Sequence, residues 1–71
     1  MEWYIANKTV GDDGSQTIRY ELSGSGYAVE SRKRAGSFTT FYLIYPDGQE
    51  KRFFSLALAK NTAEAIARAG S

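Results

Sequence analysis

The chain contains neither cysteine nor histidine. Without cysteine there is no disulfide framework and no thiolate metal site, so a fold of 71 residues must be held by packing, with a homodimer left open as further support. Without histidine the commonest general base, the serine–histidine pairing and the usual imidazole metal ligand are all missing. Any catalysis would fall to carboxylates, lysine or tyrosine. No segment approaches about 18 consecutive apolar residues, and the opening MEWYIANKTV lacks the basic-then-apolar order of an export signal. The expectation is a cytoplasmic protein without a membrane segment. There is also little net charge, with nine Lys and Arg against eight Asp and Glu giving +1. A charged surface, if there is one, must be local.

What is present is a foldable composition, 42% hydrophobic and 14% aromatic. At this length the chain is read as one domain, residues 1–71, with one thin core and no enzyme-sized cleft. The segment QTIRYELS alternates Ile18, Tyr20 and Leu22 with Thr17, Arg19 and Glu21, the period of a half-buried strand. YAVESRKR repeats it, with Tyr27 and Val29 on one side and Ala28, Glu30, Arg32 and Arg34 on the other. Between them, Gly24 and Ser25 suit the central positions of a type II′ turn, which sets Arg19 opposite Glu30. A second hairpin is signalled by YPDGQ, with FTTFYLIY and QEKRFF as its strands and Gly48 closing a type I turn with a bulge. The aromatic and β-branched EWYIANKTV predicts one more strand, ending at GDDGS.

In SLALAKNTAEAIARAG the period lengthens, placing Leu56, Ala59, Ala63 and Ile66 on one helical face. Ser55 caps its start and Gly70 its end; a rival start near Thr62 would prolong the strand instead. The fold class is therefore α+β, an antiparallel sheet of four or five strands built from two hairpins and covered on one face by a C-terminal helix. The expected core is Ile18, Tyr20, Leu22 and Val29 against Leu56, Ala59, Ala63 and Ile66.

No motif marks a reaction. Asp12 and Asp13 offer too few alternating oxygens for a calcium loop. The glycines of GSG join strand to strand, whereas a phosphate-binding loop leads into a helix. Ser55 reads as a cap, since the chain holds no base to activate it. No cofactor, metal or small-molecule substrate is expected. What survives is a set of cations with a tyrosine beside them: Arg19, Arg32, Lys33, Arg34, Lys51 and Arg52, with Tyr42 opposite Arg52. The sheet face away from the helix is expected to carry Arg19, Arg32, Arg34, Lys51, Arg52 and Tyr42. Such a face suits phosphates and bases, or an acidic protein, while SRKR also reads as the protection of an exposed strand edge.

Residues 41–66, FYLIYPDGQEKRFFSLALAKNTAEAI, resemble the strand, turn, strand and helix of the arm-type DNA-binding domains of tyrosine integrases, through the Pro-Asp-Gly turn, the basic residues after it, the aromatic before the helix and the Ser-Leu helix start. That resemblance implies a sheet that enters a DNA groove. In architecture the chain also resembles small phage and mobile-element proteins, including anti-CRISPR inhibitors, which implies action by protein contact. The function expected is a non-enzymatic binding protein whose basic, aromatic-bearing face contacts nucleic acid or a nucleic-acid-handling protein complex.

Overall fold

A computed structural model describes residues 2–70. Five strands, β1 (Trp3–Val10), β2 (Gln16–Leu22), β3 (Ala28–Lys33), β4 (Thr40–Ile44) and β5 (Glu50–Phe53), precede one helix, α1 (Leu56–Ala69). The strands form an antiparallel meander in chain order, so each pairs with its sequence neighbours. The α+β class and the single helix on one sheet face are as the periodicity predicts.

The predicted registers hold. Arg19 faces Glu30, Tyr20 faces Val29, and Tyr42 faces Arg52. At the second hairpin the Gly48 N–H donates to the Tyr45 carbonyl at 2.9 Å, the Tyr45 N–H to the Gln49 carbonyl at 2.8 Å, and Gly48 takes φ 92°. That positive φ costs a residue with Cβ and explains the glycine. The first hairpin turns one residue earlier than expected: Ser25 N–H donates to the Leu22 carbonyl at 3.2 Å, so Ser23 and Gly24 are its central residues. Ser25 Oγ also donates to Leu22 O and accepts from Tyr27 N–H. The serine side chain thereby replaces a main-chain rung, and the loop grows to four residues without disturbing the register.

Ser55 caps α1, its Oγ accepting the Leu58 N–H at 3.3 Å, and the Gly70 N–H closes the far end on the Ile66 carbonyl at 3.0 Å. The start at Leu56 excludes the rival start near Thr62. Only Phe54 and Ser55 separate β5 from α1, so the helix is tethered to that edge and lies over β3, β4 and β5. The core is accordingly Val29, Leu43, Phe53, Ala59 and Ala63, flanked by Trp3, Tyr27, Phe41, Tyr45, Leu56 and Ile66. Two alanines on the helix bring it close to the sheet. The expected packing of Ile18 and Tyr20 in the core beneath the helix is corrected: both are half-buried and outside this cluster, Tyr20 meeting α1 through the Lys60 Nζ 4.4 Å from its ring centroid, and Leu22 is buried outside the cluster as well. No helix among the described residues is long and apolar enough to cross a membrane.

Candidate interaction surface

Strand alternation divides the seven predicted site residues between two faces. Arg19, Arg32, Tyr42 and Arg52 share the face away from α1, since Arg19 pairs with Glu30, Glu30 with Tyr42, and Tyr42 with Arg52. Lys51 pairs with Leu43, a core residue beneath the helix, so its placement on the open face is corrected. Lys33 pairs with Gln16 on that same helix side. The Lys51 stem follows the edge of the core, and its Nζ stands 5.7 Å from the Phe53 ring centroid. Nor does SRKR guard an edge: β3 is the central strand, with paired neighbours on both sides.

The open face holds a polar chain that crosses all five strands. Tyr4 Oη donates to Glu21 (2.8 Å), Arg19 bridges Glu21 (2.8 Å) and Glu30 (2.9 Å), and Arg32 bridges Glu30 (2.7 Å) and Glu50 (3.0 Å). To reach Glu50 from β3, the Arg32 guanidinium passes over the Tyr42 ring, 4.2 Å from its centroid. Stacking fixes the guanidinium plane while its edge stays free for carboxylate oxygens. Burial pulls the Glu30 carboxyl upward, but the two arginines outweigh it and hold the group below the ordinary glutamate range. Arg19 and Tyr4 together depress Glu21, and the Glu21 carboxylate in turn raises the Tyr4 hydroxyl. Both arginines are held more firmly protonated, Arg19 chiefly by Glu21 and Arg32 chiefly by Glu50. Two cations thus meet three carboxylates, and the expected positive field of Arg19 and Arg32 is cancelled where they stand.

Arg34 and Arg52 form no ion pair among the described residues. Arg34, with Arg32, Ser37, Phe38, Thr40 and Tyr42, lines a shallow depression of about 300 Å³. Phe38 at its rim is 95% exposed. Continuing the β4–β5 register past Phe41 and Phe53 places Phe54 beside Thr40, at the same end of the sheet. Phe54 is 86% exposed, with the Arg52 guanidinium 5.7 Å from its ring centroid. The structure therefore brings Arg34, Tyr42 and Arg52 to one corner with two aromatics that the sequence reading had assigned to strands. Phe38 lies in the loop before β4, where a turn closed by Ser37 N–H on the Arg34 carbonyl interrupts the extended run.

No group of three or more acidic residues that could hold a metal occurs among the described residues. No family model matches the chain, and neither a curated protein nor a solved structure is significantly similar to it.

Proposed function

We propose that the chain is a small, non-enzymatic binding protein that docks on another protein through the corner formed by Arg34, Phe38, Tyr42, Arg52 and Phe54. The observation that carries this reading is the pairing of two almost fully exposed phenylalanines with two arginines that form no close ion pair among the described residues, Arg34 feeling Asp13 only at longer range. An isolated exposed apolar residue is ordinary, but two large aromatics beside cations outside the ion-paired chain form the anchor-and-rim pattern of an interface. Full burial of a phenylalanine stabilises by roughly 1.5–3 kcal/mol. The matching partner surface has an apolar hollow rimmed by carboxylates. Against catalysis stands the state of the acids: Glu21 and Glu30 are held as arginine-bound carboxylates, the opposite of a poised general acid.

Single-stranded nucleic acid is the second reading, favoured by the same juxtaposition, because bases stack on exposed aromatics beside arginines. Duplex binding through the face is less well supported. With Arg19 and Arg32 committed to carboxylates, two cations remain, and about two phosphate contacts give a salt slope of only roughly −1.8.

The test is capture from host lysate on immobilised chain, with and without nuclease, comparing wild type with Phe38→Ala and Phe54→Ala. A partner retained after nuclease and lost from both variants supports protein docking. Capture abolished by nuclease, or untouched by either substitution, overturns it.

A further inference from the structure

The corner lies over β3–β5, and the other margin of the sheet is bare. β1 is an edge strand and the longest of the five, and every residue from Tyr4 to Val10 is exposed. On its helix side, Ile5 and Val10 are each 61% exposed, because α1 covers β3–β5. Edges are ordinarily kept short, charged, bulged or interrupted by proline, since unpaired backbone recruits other strands. β5 obeys, with four residues of which Glu50, Lys51 and Arg52 are charged. β1 has eight residues, no proline and no carboxylate, and its protection is limited to one cation, Lys8, and one bulge at Ala6.

We propose that β1 pairs antiparallel with β1 of a second copy across a two-fold axis, joining two sheets into one of ten strands. A bulge decides the register. In an unbroken strand, residues an odd number apart face opposite ways, so a two-fold antiparallel pairing whose residue numbers sum to an odd value would set unlike faces together. The extra residue Ala6, between Ile5 opposite Tyr20 and Asn7 opposite Arg19, shifts that phase. Trp3, Ile5, Lys8 and Val10 consequently share the helix side, and Tyr4, Asn7 and Thr9 the open side. The register pairing Trp3 with Val10, Tyr4 with Thr9 and Ile5 with Lys8 of the second copy then matches faces at both ends and uses the whole strand.

Charge agrees with that occupant. Each Lys8 lies against Ile5 of the other copy, and the two cations stand roughly 10 Å apart, about one screening length. Pairing β1 on β5 of another copy would instead bring Lys8 to a strand bearing Lys51 and Arg52, and would leave free edges that grow into filaments. An eight-residue edge spans about 26 Å and falls short of the roughly 800 Å² per partner of a standard stable interface. The dimer is therefore weak, at the small end of specific interfaces. This inference is independent of what the corner binds.

Sedimentation of the full chain from about 10 µM to about 1 mM tests it. The wild type is expected to pass from monomer to dimer over that range. Ile5→Gln provides an uncharged reference, and the exposure of Ile5 leaves the monomer fold intact, as far-ultraviolet circular dichroism checks. Ile5→Glu would face Lys8 twice per dimer and tighten association about fivefold over the reference, while Ile5→Lys would loosen it by a similar factor. A wild type still monomeric at about 1 mM, including one that takes up only unrelated extended peptides, overturns the proposal. So does a shift of the Glu and Lys variants in the same direction.

Discussion

Glu30→Gln removes the charge at the middle of the polar chain and leaves its shape. In the wild type the Glu30 side chain is 16% exposed and bonded to two guanidiniums, whose own side chains are 35% and 37% exposed. Exposed ion pairs contribute about 0.2–1 kcal/mol each and hydrogen bonds to charged groups more, so the half-shielded pairs here together stabilise by about 1–2 kcal/mol. For a domain of this size that is roughly a 4–16 °C fall in Tm, enough to measure and too little to unfold a chain with about 5 kcal/mol in hand. Since the folded-state pKa of Glu30 is depressed, its contribution is present above the unfolded value and is lost as pH falls through the folded one. Urea unfolding of both proteins should therefore show a gap that is widest near neutrality and closes below about pH 4. A gap that stays constant down to about pH 3, or no gap at neutral pH, would refute the view that the arginines are neutralised through Glu30.

Two further expectations concern the fold. Leu43→Ala, at a fully buried position between Val29 and the edge residue Lys51, should cost about 3–5 kcal/mol and move the urea midpoint close to zero denaturant; a loss under about 1 kcal/mol would remove Leu43 from the core. Ser55→Ala should lower stability by about 1 kcal/mol through loss of the Leu58 N–H acceptor, and Ser55→Asp should recover it; equal melting of all three proteins would show the cap to be idle.

What was legible in the sequence is what short-range periodicity encodes. Alternation in QTIRYELS and YAVESRKR fixes both faces and, through the hairpin, sets Arg19 across from Glu30. The Pro-Asp-Gly turn and the Ser55 cap are likewise local chemistry. Strand order is not local, and two differences descend from it. The basic run at residues 32–34 reads as edge protection although it ends the central strand, because charge composition is the same in either place. Ile18 and Tyr20 share a face with Val29 and are therefore expected beneath the helix, but a helix tethered to β5 packs mainly on β3–β5 and reaches Tyr20 and Trp3 through the Lys60 side chain. The expectation of Lys51 on the open face beside Arg52 fails for a local reason, because consecutive strand residues point to opposite sides. The candidate site suffered most. Arg19 and Arg32 looked available because their full set of carboxylates assembles from β2, β3 and β5 only in the folded sheet, and Phe38 and Phe54 were lost in aromatic runs that read as continuous strand.

The edge and the corner, if both are used, constrain what the assembly can hold. A two-fold axis normal to the sheet at paired β1 strands would put both open faces on one side were the sheet flat, and the dimer would clamp a single target with two corners. Sheets twist, however, by about 20–25° from one strand to the next. From β4 of one copy to β4 of the other is seven strand steps, so the two corners are turned by roughly 140–175° relative to one another while lying about 34 Å apart along the sheet. They look out on opposite sides. The gain from linking two sites is lost when geometry forbids both from engaging one molecule, so dimerisation through β1 gives little added affinity for a single compact partner. It instead lets one dimer join two partner molecules, or two distant segments of a large one, and a weak dimer does so only where the chain is locally concentrated.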